Sequence, residues 1–141
     1  MTRVEFLHGA ADRVQAAANW LREAWERRQP VLVYAPDAAT AGRLDRMLWA
    51  QPALSFVPHC DAASPLAAET PILLTDRLDT PPREECLLNL SNELPPTFSR
   101  FGHLVEVVSV DATDRLPARE RFKFYRDRGY AIDSRDVAGG A

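Results

Sequence analysis

Two periodicities alternate along this chain. In "ADRVQAAANWLREAWERR" the apolar positions Val14, Ala17, Ala18, Leu21, Ala24 and Trp25 recur every three or four residues. That spacing lines one face of an α-helix. Asp12 stands just ahead of the run, and its carboxylate suits it to accept the orphan N–H groups of a helix start. "PVLVYA" is instead an unbroken apolar run rich in β-branched residues, as expected of a strand covered on both faces. The helical period returns in "DAATAGRLDRMLWAQ", with Ala41, Leu44 and Leu48 facing inward and Pro52 ending it. "RVEFL" at the start, then "PILLTD", "ECLLNL" and "HLVEVVSV", read as further strands, with a turn at Pro81-Pro82. Residues 113–130 form the last helix. Strands alternating with helices predict an α/β domain in three layers, a mostly parallel sheet flanked by helices. A single domain is expected over residues 1–135, with 136–141 fraying.

Composition adds bounds. Of 141 residues, 46% are hydrophobic and 26% charged, ordinary values for a soluble globular protein. No apolar run approaches the ~20 residues of a membrane span, and the N-terminal residues lack the pattern of a secretory signal. A cytoplasmic protein is the expectation. The net charge of −3 argues against a nucleic-acid-coating surface. Its distribution says more. "TDRLPARERFKFYRDRGY" holds six Arg/Lys against three Asp/Glu, a local +3, so the remaining residues carry −6. A basic segment on an acidic body points to a local anion site.

Several kinds of chemistry find little support. The first strand-to-helix turn, "LHGAADR", has one glycine and the second, "YAPDAAT", has none. Dinucleotide and phosphate loops need several glycines so that backbone N–H groups can approach the phosphate. No G-x-S-x-G elbow occurs, and Ser64 and Ser91 fall in loops without an obvious base. Asp37 and Asp76 follow strands, where α/β enzymes keep catalytic groups; as a helix cap and a turn residue they need no catalytic role. Cys60 and Cys86 form no CxxC pair, and His8, His59 and His103 are scattered. Only His59-Cys60 could begin a metal site. No cofactor is expected, and a small enzyme or nucleotide-binding protein using strand-end carboxylates is the alternative class.

Two features remain. At about 100° per residue, Arg115, Arg119, Lys123 and Arg126 fall within about 80° of one another on the last helix. Phe122, Ala118 and Tyr125 border them on one side, and Glu120 and Asp127 lie beyond them on the other. Such a stripe suits a ligand that joins carboxylates to an apolar side chain. Pro117 fits the first helical turn, which would leave Arg115 ahead of the regular helix. The second feature is "LWAQPALSFVPH". Trp49 is rotated about 100° from Leu48 onto the helix flank, while Pro52 and Pro58 stiffen Phe56-Val57. These rings either close the end of the core or form a preformed interface patch.

"RLDRMLWAQPALSFVPH" and, 58 residues later, "ARERFKFYRDRGY" resemble two motifs of the chi subunit of bacterial DNA polymerase III holoenzyme, with Phe122 in place of the usual tyrosine. "VLVYAPDAATAGRLD" fits as well, so the resemblance spans most of the chain. It implies a Rossmann-like fold without nucleotide binding and a non-enzymatic adaptor in DNA replication. Such adaptors join the acidic, apolar-ended C-terminal tail of single-stranded-DNA-binding protein to the psi subunit, a 1:1 partner that docks on the clamp loader. Carried over by position, the tail site comprises Arg119, Phe122 and Lys123, with Arg115 and Arg126 as neighbours. The psi surface comprises Trp49, Phe56 and Val57. Contact with DNA is then only indirect.

Overall fold

The computed structural model describes residues 1–50 and 57–138. Among them, β1 (Arg3–Ala10), α1 (Arg13–Glu26), β2 (Val31–Tyr34), α2 (Ala38–Ala50), β3 (His59–Asp61), β4 (Ile72–Thr75), β5 (Cys86–Asn89), β6 (His103–Ser109), α3 (Ala112–Asp127) and β7 (Ile132–Asp136) follow in chain order. The strands form one sheet in the order β3-β4-β2-β5-β6-β1-β7. Each pairing is parallel, so the sheet is wholly parallel where a mostly parallel one was expected. The three-layer α/β fold is as the sequence predicted.

Period-two alternation divides the core between two faces. Leu7, Val31, Val33, Ile72, Leu74, Cys86, Leu88, Val105 and Val107 pack on one face with α1 and α2. Val4, Phe6, Leu32, Tyr34, Leu73, Leu87, Leu104 and Val108 pack on the other, with α3 and the loop residues Leu78, Phe98 and Phe101. Covering both faces explains the unbroken apolar strands: all four residues of β2 are buried, and all four of β5. In α1 the cap is as expected, Asp12 accepting from Val14 N and Gln15 N. Leu44 and Leu48 of α2 are fully buried, and Ala41 packs against the same cluster.

Two strands escape the sequence reading. β3 has three residues, too few to show a period. β7 reads "IDSRD", four of whose five residues are exposed, because it lies at the sheet edge and only β1 pairs with it. The expected boundary at residue 135 falls inside this strand, and Val137 N donates to His8 O. Pro52 lies outside the described residues.

The basic helix starts earlier than Pro117 suggested. Asp111 caps it, accepting from Thr113 N, and Pro117 sits inside the helix. Proline cannot donate to the carbonyl four residues back. That carbonyl, Thr113 O, accepts instead from Asn92 Nδ2 at 3.3 Å. A loop side chain supplies the missing hydrogen bond, so Arg115 belongs to the regular helix.

Candidate functional site

The carboxyl ends of the strands, where α/β enzymes bind ligands, carry a cleft of about 750 Å³. Its chemistry disfavours phosphate. Asp12, Asp37 and Asp111 stand at the N-terminal ends of α1, α2 and α3; Asp12 and Asp111 cap α1 and α3, and Asp37 accepts from Thr40 N and Thr40 Oγ1. The positive helix ends that would hold an anion are already occupied by carboxylates. Pairing with Arg43 holds the Asp12 carboxyl below its ordinary range, as hydrogen bonds from Thr40 do for Asp37. The glycine of "LHGAADR" serves the sheet. Gly9 has φ +80° where the β1–β6 register shifts, and a Cβ there would lie 2.6 Å from Asp136 Oδ1. Arg13 fills the middle of this edge, donating to Val107 O and Ser91 O at 2.7 Å each and to Asn92 Oδ1 at 2.9 Å. The arrangement is a polar lock on the ends of β5 and β6.

At the opposite edge, Cys86 Sγ lies 3.8 Å from His103 Nδ1, and His103 Nε2 lies 3.1 Å from Glu5 Oε1. The thiol–imidazole–carboxylate order is that of a nucleophilic triad. Burial decides against it. Cys86 is fully buried, and burial pushes its thiol up to about 12, so the nucleophilic thiolate is scarce at neutral pH. Cys86 is expected to resist iodoacetamide at about pH 8 until urea unfolds the chain. Peptide mapping by mass spectrometry reads this directly; fast alkylation in the native state would mean that His103 activates it.

His59 and Cys60 are successive residues of β3 and so point to opposite faces of the sheet. They cannot hold one metal ion. Among the described residues, no three His, Cys, Asp or Glu side chains converge as ligands.

The basic stripe on α3 takes shape as drawn. Arg115, Arg119, Lys123 and Arg126 are all exposed. Arg126 pairs with Asp127 at 3.3 Å, whereas among the described residues the other three make no ion pair. The apolar border is narrower than expected. Ala118 and Tyr125 turn into the core, leaving half-buried Phe122 beside the stripe, its ring 5.2 Å from that of Phe6. Thus Phe122 stays partly exposed beside the stripe while it packs against Phe6 of β1.

The same helix holds a charge pair that the sequence reading missed. Glu106 of β6 is fully buried and accepts from Arg121 Nε and Nη2 at 3.0 Å each, from Tyr125 Oη at 2.7 Å and from Asn89 Nδ2 at 3.0 Å. The available signal was the carboxylate inside the apolar run "LVEVV", which requires a buried partner. Arg121 is therefore a structural cation, separate from the stripe.

The aromatic stretch is divided. Trp49 is 61% exposed on the flank of α2, edge-on to His59 with ring centroids 5.6 Å apart. His59 is itself buried, with Nε2 2.9 Å from Asp45 Oδ1 and Nδ1 2.6 Å from Val57 O. Val57, expected as a docking anchor, is fully buried in the core beneath α1 and α2. Its side chain is therefore unavailable to a partner; a branched apolar residue following the helix was drawn inward to close that layer. Phe56 lies outside the described residues.

A protein-family profile described as "DNA polymerase III chi subunit, HolC" matches residues 1–133. A Pseudomonas aeruginosa protein named DNA polymerase III subunit chi is 34% identical over 138 residues, covering 94% of each chain. The Escherichia coli protein of that name is 31% identical, covering 79% of this chain and 77% of the relative. A Haemophilus influenzae counterpart is 28% identical over 87% and 86%.

Proposed function

Because the chain belongs to the DNA polymerase III chi subunit family, we propose that it acts in that holoenzyme as a non-catalytic adaptor. In this reading it bridges the C-terminal tail of single-stranded-DNA-binding protein to the psi subunit, and through psi to the clamp loader, during DNA replication. The observation that carries the reading is the stripe on α3. Arg115, Arg119 and Lys123 are exposed and make no ion pair among the described residues, and they run beside half-buried Phe122. Uncommitted cations next to an aromatic face match a peptide that is acidic along its length and apolar at its end. Phenylalanine in place of the family's tyrosine keeps the face and drops only a hydroxyl.

The second surface supports the bridge. An exposed tryptophan is a costly surface residue and a typical interface anchor, so Trp49 is assigned to psi, together with Phe56 of the same motif. Val57 contributes by seating the segment in the core. Trp49 and the α3 stripe belong to helices on opposite faces of the sheet, which lets both partners bind at once. The test is a two-partner binding assay on Trp49→Ala. Psi association is expected to weaken at least ~30-fold, about 2 kcal/mol for a central aromatic anchor, while tail-peptide affinity and melting temperature stay at parental values. Unchanged psi binding would remove Trp49 from the interface, and loss of both partners with a lowered melting temperature would make it a packing residue.

A further inference from the structure

The sheet ends in two edge strands, and they differ. β3 has three residues, and the backbone it turns outward is partly taken, since Ser64 N donates to Asp61 O. β7 has five residues, four of them exposed. Its register on β1 fixes which of its groups are spare. Val4 lies opposite Ile132 and His8 opposite Asp136, with Val4 N donating to Ala131 O and Val137 N to His8 O. In such a parallel ladder Asp133 and Arg135 turn their N–H and C=O toward β1, while Ile132, Ser134 and Asp136 turn theirs away. Among the described residues, no backbone hydrogen bond reaches those outward groups. A free edge of this kind is a template for another strand.

We propose that two copies of this chain join through β7, edge to edge and antiparallel, about a two-fold axis at Ser134. The charges select both the occupant and the register. Edge charges ordinarily discourage pairing, because like charges come to stand opposite each other. In "IDSRD" centred on Ser134 the reverse holds: Asp133 stands across from the second copy's Arg135, and Arg135 across from its Asp133. Both side chains are exposed, and among the described residues neither makes an ion pair. Moving the axis one residue either way would set Asp133 against Asp133 or Arg135 against Arg135. The hydrogen-bond pattern agrees independently. With the axis at Ser134 the outward groups meet one another, Ser134 facing Ser134 and Ile132 facing Asp136, in about six N–H···O bonds. Asp133 and Arg135 then occupy the non-hydrogen-bonded positions, where Cα atoms approach to about 4.5 Å and side chains are closest. The strand is self-complementary, as a two-fold contact requires. Trp49 stays free in this dimer, because it packs on His59 of β3 at the other end of the sheet. The dimer does not rest on the adaptor function proposed above.

Sedimentation velocity of the full chain between about 10 µM and 1 mM tests the dimer, with a dissociation constant expected on the order of 100 µM for so small a contact. Ser134→Pro removes an N–H that points away from β1, which an edge strand tolerates. It is expected to raise that constant at least ~10-fold while the melting temperature holds. Asp133→Arg and Arg135→Asp each set like charges across the axis, so each variant alone is expected to be monomeric. Mixed in equal amounts, the two are expected to dimerise, because a strand with two arginines then faces one with two aspartates. A strand that had merely lost its structure would not recover on mixing. A parent that stays monomeric at the highest concentration would overturn the proposal. So would a dimer that survives Ser134→Pro or either charge reversal, or reversed variants that fail to pair when mixed.

Discussion

Reversing both Arg119 and Lys123 to glutamate is expected to weaken binding of the acidic tail peptide roughly 100-fold, with no change in melting temperature. Each exposed charge pair contributes at most about 1 kcal/mol, and reversal replaces the attraction by a repulsion of similar size. At about 0.7 kcal/mol for each attraction lost and each repulsion gained, two reversals approach 3 kcal/mol, which is about two orders of magnitude in affinity. Neither side chain makes a hydrogen bond or ion pair within the described chain, and both are exposed, so the fold loses nothing. The same argument fixes the salt dependence. Screening shortens from about 10 Å at 0.1 M to about 3 Å at 1 M, and parental affinity is expected to fall across that range while the doubly reversed variant's changes little. Fluorescence anisotropy with a labelled tail peptide measures both. Equal affinities for parent and variant would remove the stripe from the tail site.

Glu106→Ala is expected to cost about 3–5 kcal/mol, because it leaves the Arg121 guanidinium buried without its counter-charge. That is a large share of the 5–15 kcal/mol typical of a domain. Tyr125 Oη and Asn89 Nδ2 lose their acceptor at the same time. Urea unfolding followed by far-UV circular dichroism reads the loss as a lowered midpoint. Combining Glu106→Leu with Arg121→Met removes both charges and is expected to recover most of the stability. A cost below about 1 kcal/mol for Glu106→Ala would mean that water reaches the pair. The network also sets an alkaline limit. Burial pushes the Tyr125 phenol well above its ordinary value, so its contribution is complete below the unfolded value near about 10 and is lost as pH rises beyond it.

Much of this molecule was legible from residue order. Leu44 and Leu48 on α2, the both-faces-buried β2 and the Asp12 cap follow from local rules whose partners are a few residues away. The four cations on α3 follow from the helical period alone. What failed did so for identifiable reasons. Local rules put Pro117 in a first turn, where its missing donor is harmless; Asn92, from a distant loop, makes the interior position tolerable. β7 was missed because an edge strand has no obligation to be apolar on its outer side. For Val57, the resemblance identifies a segment as an interface, yet does not say which of its side chains face outward.

Helix period, strand alternation and charge placement are properties of neighbours in the chain, and they were enough to set the α/β layers and the basic stripe. Which groups meet across the sheet is decided by packing. The core position of Glu106, the withdrawal of Arg121 from the cationic surface, the exclusion of the Cys86 thiol from chemistry and the exposure of Trp49 all depend on contacts between segments far apart in sequence. The physical reason is desolvation. It acts on a residue through everything that surrounds it, and only the folded chain brings those surroundings together.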